Sequence, residues 1–470
     1  MKKYFPEKNL GDKYSHCKII CSLLVIMLTG GICCGCGGAV ENVTEAVSEA
    51  VVEAEDSERQ SGGDASSTQN KGSSAEETRG DSTGSAVSEN DTEIIERRDP
   101  VKVKGIYVSG PVAGIAKMDA LIDLVDQTEL NAMVIDIKND EGRVTYKMQS
   151  DQVLEIDAGV SYIGDIEELV SKCKEKNIYL IARIVAFRDP YLAEQKPEWA
   201  VHTKDGAIFR DKSGLAWVNP YKREVWDYLA EIASQAAGAG FDEIQFDYIR
   251  FSTDIKEEEV DYGDESEDVD KIEIITEFTE YMYETLVPQG VYVAADVFGT
   301  VIDNETDQAI VGQDYVQMAQ YLDYICPMVY PSHYYSGSYG IPVPDAEPYS
   351  TIYAAASSSA EELKAVHEED CARVRLWLQS FTANWVPGHI SYGREQIRAQ
   401  IKGAYDAGYD EWILWNAAVN YQPESLLTDE EAEAERAVWD AERQEIERQK
   451  AEEQEAGQQM AQPETVSGNG

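Results

Sequence analysis

The sequence predicts an α/β fold, a (β/α)8 barrel held between two ends that lack a core, and three observations carry that expectation. Between residues 101 and 421, short apolar, β-branched runs alternate eight times with longer helical patterns. Several of those helical patterns close on Gly or Asn before the next run, as at Lys176-Asn177, Gly238-Ala239-Gly240, Gln289-Gly290 and Ala407-Gly408. No G-x-G-x-x-G follows the first strand, which leaves the competing open, doubly wound nucleotide-binding sheet without footing.

The first strand is expected at 103–109, around Ile106-Tyr107-Val108, and a helix follows at 118–127. The second, 132–138, reads Ala-Met-Val-Ile-Asp-Ile-Lys and leads to a helix at 163–175. The third, 179–186, carries Arg183 inside an apolar run and precedes a helix at 223–237. In the fourth, 243–248, alternation puts Gln245 and Asp247 on one face and Phe246 and Tyr248 on the other, before a helix at 272–286. The fifth, 292–298, holds Asp296 and precedes a helix at 313–320; the sixth, 324–329, precedes a helix at 352–366. The seventh and eighth, 374–379 and 412–416, flank a helix at 394–407.

The barrel is expected over residues 100–424 of the 470. With 88 Asp and Glu against 40 Lys and Arg, the net charge is −48, which argues against nucleic acid as a partner, since the surface repels phosphates. Residues 1–36 have the layout of an export signal: Lys2, Lys3, Lys13 and Lys18, then an apolar run to Ile32, then small residues and cysteines. Cys36, preceded by Gly35, is the expected acyl acceptor of a lipoprotein; an uncleaved membrane anchor is the alternative. Either way the body faces outside the cell. Residues 37–99 are rich in Ser, Gly, Glu, Asp, Ala and Thr and have no aromatic residue, which predicts a disordered tether. Residues 425–470 predict an acidic, solvated, partly helical tail.

Five of the eight cysteines fall in the exported segment, and Cys173, Cys326 and Cys371 sit in apolar patterns without metal-type spacing, as small buried hydrophobes do. With five His and neither H-E-x-x-H nor C-x-x-C, the sequence gives no basis for a catalytic zinc, and no metal or cofactor is expected. The acidic stretch from Asp254 to Asp270 lacks the spacing of a calcium loop and is expected to be unstructured.

In a (β/α)8 barrel the active site lies at the C-terminal ends of the strands, and here those ends are polar. Asp247 and Asp296 end neighbouring strands and would stand a strand spacing apart, the roughly 5 Å pair that retaining glycosidases use. Asp136 and Asp140, with Lys138 between them, are candidates for binding sugar hydroxyls, as are Gln379, Trp415 and Asn416. Arg183, Arg250, Tyr330 and His333 are candidates for orienting substrate or stabilising charge; each arginine would equally serve by neutralising a buried Asp. Trp199, Trp217, Tyr334, Trp377 and Trp385 offer further flat faces for sugar rings.

The segments Gly105-Ile-Tyr-Val, Val134-Ile-Asp-Ile-Lys-Asn-Asp, Ile181-Ala-Arg-Ile-Val-Ala-Phe-Arg-Asp-Pro, Gly240-Phe-Asp-Glu-Ile-Gln-Phe-Asp-Tyr-Ile-Arg-Phe, Ala295-Asp-Val-Phe-Gly and Pro327-Met-Val-Tyr-Pro-Ser-His-Tyr resemble those of a bacterial glycoside hydrolase family with a glycosidase-like TIM barrel. The resemblance covers about residues 101–421, and the fourth-strand motif is its most specific part. It implies a barrel related to α-amylase-type and α-galactosidase-type glycosidases, with Asp247 as nucleophile and Asp296 as acid/base. In that family an acidic residue often follows the Gln of strand 7, where this chain has Ser380. The expectation is therefore an exported, membrane-tethered hydrolase of an extracellular or cell-wall polysaccharide. Its rivals are a catalytically silent sugar-binding barrel and a surface scaffold that works through its acidic tail.

Overall fold

A computed structural model describes residues 97–364, 366 and 371–460; the expected signal segment, Cys36 and nearly all of the expected tether lie outside the described residues. Eight parallel strands form the barrel: β1 (Lys104–Val108), β2 (Ala132–Lys138), β3 (Tyr179–Val185), β4 (Glu243–Asp247), β5 (Tyr292–Phe298), β6 (Tyr324–Met328), β7 and β8 (Trp412–Trp415). β7 comes in two pieces, Arg373–Val374 and Leu376–Gln379. Every residue of β2 and β3 is buried, which is why these strands read as continuous apolar runs rather than alternating ones. β1 pairs with β8 through Ile106 and Leu414, closing the ring on one side.

The thinnest seam is β6 against β7. The Ile325 carbonyl accepts the Arg375 N–H and the Val329 N–H reaches the Trp377 carbonyl, so the residue between them whose N–H would face β7 is Pro327, which has none. Along the second piece of β7 the pairing shrinks to Trp377 opposite Met328.

The principal helices are α1 (Lys117–Asp126), α2 (Ile166–Glu175), α3 (Arg223–Ala239), α4 (Lys271–Leu286), α5 (Glu305–Val311), α6 (Pro348–Leu363), α7 (Arg394–Asp406) and α8 (Asp429–Met460). Carboxylate or amide caps start α2, α4 and α5, where Asp165, Asp270 and Asn304 accept backbone N–H groups. The helix expected at 313–320 is displaced. Asn304 starts α5 early, Gly312 ends it at φ +79°, and only the turn Tyr315–Met318 remains in the expected place.

Two other expectations change. The acidic stretch expected to be unstructured contributes Val260–Asp261, which pairs antiparallel with His202–Thr203 from the loop after β3 and buries Val260 and Tyr262. The tail is helical and its first turns are docked rather than solvated. Thr428 and Glu431 cap it reciprocally, Arg398 bonds Glu435, Arg436 bonds Asp410, and the Trp439 ring lies edge-on to Tyr405 at 6.1 Å. Among the described residues no helix is long and apolar enough to cross a membrane.

The closed end of the barrel is ionic. Arg375, fully buried, bonds Glu243 at 2.7 Å and Glu411 at 3.1 Å, while the Tyr179 hydroxyl donates to Glu243 at 3.0 Å. Burial raises the Glu243 carboxyl above its ordinary value, and the arginine charge pulls it partly back. At the same end, Arg97 bonds Asp323 at 2.7 Å, just before β6, and Arg98 bonds Asp242 at 3.3 Å, just before β4. Arg98 also donates to the Asn177 side chain at 2.7 Å, and its carbonyl accepts the Tyr292 hydroxyl at 2.9 Å.

Removing the cation of a buried triad strands two carboxylates, so Arg375→Met is expected to lower stability by about 3–5 kcal/mol. Adding Glu243→Gln and Glu411→Gln to that variant should recover at least half of the loss, both read from urea unfolding midpoints.

Candidate active site

At the open end, Arg183 projects from the middle of β3 and is 1% exposed. Its Nε and Nη2 donate to Asp247 Oδ2 at 2.9 and 2.6 Å, and its Nη1 donates to Asp136 Oδ1 at 2.8 Å. Asp140 accepts more loosely, at 3.3 and 3.5 Å. One cation thus gathers carboxylates from β2, from the loop after it and from β4. The guanidinium also lies 5.4 Å from the Trp415 ring and 5.7 Å from the Tyr107 ring, within cation–π reach of both.

Asp136 is held on its other oxygen by the Tyr107 hydroxyl at 2.6 Å. Burial is the main force on its carboxyl, opposed by Arg183 and reinforced by Asp140, and the balance raises it to about 6. Asp140, nearer the solvent, is held below its ordinary value against the burial that would raise it, mainly by Arg183 and Arg188. Asp247 ends β4, 6% exposed, and its Oδ1 accepts the N–H of Tyr248 at 2.6 Å. Tyr248 adopts φ +52°, a left-handed conformation that is strained for an aromatic residue and that sits beside the candidate nucleophile. Arg188 Nη1 donates to its hydroxyl at 2.5 Å.

β4 and β5 pair Phe246 with Ala295, so Asp247 and Asp296, the next residue on each strand, stand at the same level of adjacent strands. Asp296 is 1% exposed, and the Trp377 indole donates to its Oδ1 at 2.6 Å. Burial, and then the charge of Asp247, push the Asp296 carboxyl well above the ordinary range.

The other expected residues divide. Across the same face, Tyr330 and His333 lie 5.1 Å apart by ring centroid and share Phe381, with Trp385 stacked beyond it. Desolvation lowers the half-buried His333 to about 4, so it is neutral near pH 7. Arg250 is packed against the rings of Trp217, Tyr248 and Phe298 and bonds the Phe251 carbonyl. Trp415 forms part of the site, its ring 4.2 Å from that of Tyr107.

Three residues do not join it. A register shift between Asp136 and Lys138 turns Lys138 out of the mouth, and its fully buried ammonium meets Asp189 at 2.8 Å and the Val185 carbonyl at 2.5 Å. Gln379 is spent on the Ser332 N–H, Asp345 and the Phe381 carbonyl. Asn416 binds the carbonyls of Ser380 and Asn420 and accepts the Asn420 N–H. Among the described residues, no three His, Cys, Asp or Glu are placed to hold a metal ion. Strand-end reading missed Tyr107, which reaches Asp136 on the adjoining strand, and took Trp377 for a sugar face where its indole donates past β6 to Asp296 on β5.

Residues 105–421 match a family described as "Putative glycosyl hydrolase domain". Among solved structures, the chain is similar to a hypothetical protein from Ruminiclostridium thermocellum, at 39% identity over 41% of this chain and 97% of that one, with a TM-score of 0.38. It is also similar to the PgaB glycoside hydrolase domain from Bordetella bronchiseptica, at 13% identity over 68% of this chain and 95% of that one (TM-score 0.49). A third is the α-galactosidase TtGalA from Thermus thermophilus, at 12% identity over 74% and 64% (TM-score 0.42). No curated protein matches.

Because the folded Asp136 carboxyl is raised to about 6 from an ordinary 3.8, the unfolded chain holds fewer protons between those values, and this group's contribution to stability falls as pH rises through that window. The loss is on the order of 3 kcal/mol. Urea unfolding from pH 4 to 7 should therefore show a decline that flattens in Asp136→Asn, and a carboxyl carbon resonance of Asp136 titrating near 6.

Proposed function

We propose, from the premise that this chain belongs to that glycosyl hydrolase domain family, that the barrel hydrolyses an extracellular or cell-wall polysaccharide with retention of configuration. The observation that carries the proposal is the pair Asp247 and Asp296, level on adjacent strands and set in unequal surroundings. A carboxyl raised by burial, beside a second one oriented by an arginine, is what an acid and a nucleophile require.

Asp247 would attack the anomeric carbon while Asp296 gives its proton to the departing glycosidic oxygen, forming a glycosyl ester on Asp247. Asp296, now a carboxylate, would take a proton from water as that water attacks the same carbon and releases Asp247. The surroundings support these roles. Burial and the neighbouring charge favour the protonated form of Asp296, and since the Trp377 N–H occupies Oδ1, the acidic proton belongs on Oδ2. Arg183 and the Tyr248 N–H fix the orientation of Asp247. Tyr330, Phe381 and Trp415 supply apolar faces for pyranose rings. Export through residues 1–36, with Cys36 as acyl acceptor, would set the enzyme at the outer side of a membrane, where such substrates are found.

A second reading, a sugar-binding barrel without turnover, is favoured by the depth of the pair, since a substrate must reach an Asp296 that is 1% exposed.

Incubation with a panel of cell-wall and storage polysaccharides separates the two. Release of sugar with retained anomeric configuration, followed by NMR, is expected from the unmodified protein. Asp247→Asn and Asp296→Asn should each lower kcat by at least about 10³-fold. Binding of every polysaccharide without release would instead favour the sugar-binding barrel. The Trp377 N–H lowers Asp296, so Trp377→Phe should raise that carboxyl further and move the alkaline limb of the pH–rate profile to higher pH.

A further inference from the structure

On the flank of the barrel, a cleft of about 270 Å³ opens between the loop after β2, the loop after β3 and the start of α3. Trp199, which the sequence offered as a sugar platform, lines this cleft and is half-buried. Lys196 lies 5.5 Å from the Trp199 ring and is paired with Glu155 at 2.6 Å, so those two charges cancel. That leaves Glu224 and Asp227 as the uncompensated charges of the lining. Asp227 accepts the Tyr281 hydroxyl on Oδ1 at 2.7 Å, which leaves Oδ2 for another donor. Tyr228 also lines the cleft; it is 1% exposed, and its hydroxyl has no hydrogen-bond partner among the described residues.

Glu224 alone would be accounted for by the dipole of α3, whose first turn it occupies. The aromatic wall and the half-open cleft beside it are not. The volume lies at the small end of ligand sites and suits one monosaccharide rather than a longer ligand. An aromatic face takes the C–H side of a pyranose, and two carboxylates beside it favour a ring that carries an ammonium and disfavour one that carries a carboxylate.

We propose that this cleft is an accessory subsite that binds a single amine-bearing pyranose unit of a glycan, apart from the mouth of the barrel. It would hold a chain against the protein while another part of the glycan enters the mouth. The binding is independent of turnover and of the roles assigned to Asp247 and Asp296.

The test uses the full chain carrying Asp247→Asn, so that nothing is hydrolysed, and follows the indole N–H resonance of Trp199, assigned by its loss in Trp199→Ala. A β-1,4-linked glucosamine tetrasaccharide should move this resonance saturably. Asp227→Asn should weaken the midpoint about tenfold, and Trp199→Phe, which keeps an aromatic face, should retain binding as judged by calorimetry. A glucose tetrasaccharide should bind more weakly and a galacturonate tetrasaccharide should leave the resonance unmoved. No movement with the glucosamine probe, an unchanged midpoint in Asp227→Asn, or equal response to galacturonate would each overturn the proposal.

Discussion

Arg183 reaches into the mouth from β3 with its guanidinium shared among Asp136, Asp140 and Asp247, and that shared cation is the constraint under which the open end is built. One positive charge cannot balance three negative ones in a place that excludes water, and Asp296 adds a fourth carboxyl beside them. The excess is handled by protons. Burial first, and then the charge of Asp140 on Asp136 and of Asp247 on Asp296, raises these two carboxyls above the range of free ones, and Arg183 only partly pulls them back. A carboxyl raised towards neutral pH is thus a consequence of burial and of negative neighbours that the arginine charge only partly offsets. It is also what general acid chemistry needs.

The same arithmetic recurs at the closed end, where Arg375 serves Glu243 and Glu411. β4 links the two layers: it carries Glu243 at its start and Asp247 at its end, with Gln245 buried between them. Apolar side chains on the outward face of the strand, such as Phe246 against Phe278 of α4, supply the packing that keeps both polar layers dry. Polar networks inside a barrel are tolerable when their members are bonded, as the two arginines and their carboxylates are, whereas the buried amide of Gln245 between them has no nitrogen or oxygen hydrogen-bond partner among the described residues.

Much of this was legible in the chain. Eight apolar runs separated by helical patterns give the barrel because strands covered on both faces must be apolar throughout. The cluster of Asp136, Asp140, Arg183 and Asp247 follows from topology alone, since the C-terminal ends of neighbouring strands converge. Lys138 was misread because alternation assumes an unbroken strand, and the shift at residue 137 is invisible to a period-two count. Gln379 and Asn416 stand at strand ends as expected, yet their amides are consumed by loop backbone whose path no local pattern encodes. Tyr107 reaches Asp136 on the adjoining strand and Trp377 reaches Asp296 two strands away, so both roles depend on side-chain reach between strands, which a single strand's pattern does not carry. The tail was read as solvated because its few apolar residues are sparse, but Trp439 against Tyr405, together with the ion pairs of Glu435 and Arg436, seats its first turns.

The two arginines at the start of the described chain set a mechanical boundary condition. Arg97 and Arg98 grip Asp323, Asp242 and Asn177, which precede β6, β4 and β3, and Tyr292 at the start of β5 holds the backbone between them. A pull transmitted through the residues before 97 would therefore be divided among four strands at the end opposite the mouth. Tension delivered there loads two ion pairs and two further hydrogen bonds in parallel before any strand can peel. The chain therefore joins the barrel at the end opposite Asp247 and Asp296, and a load applied at Arg97 is met by these bonds before it reaches the mouth.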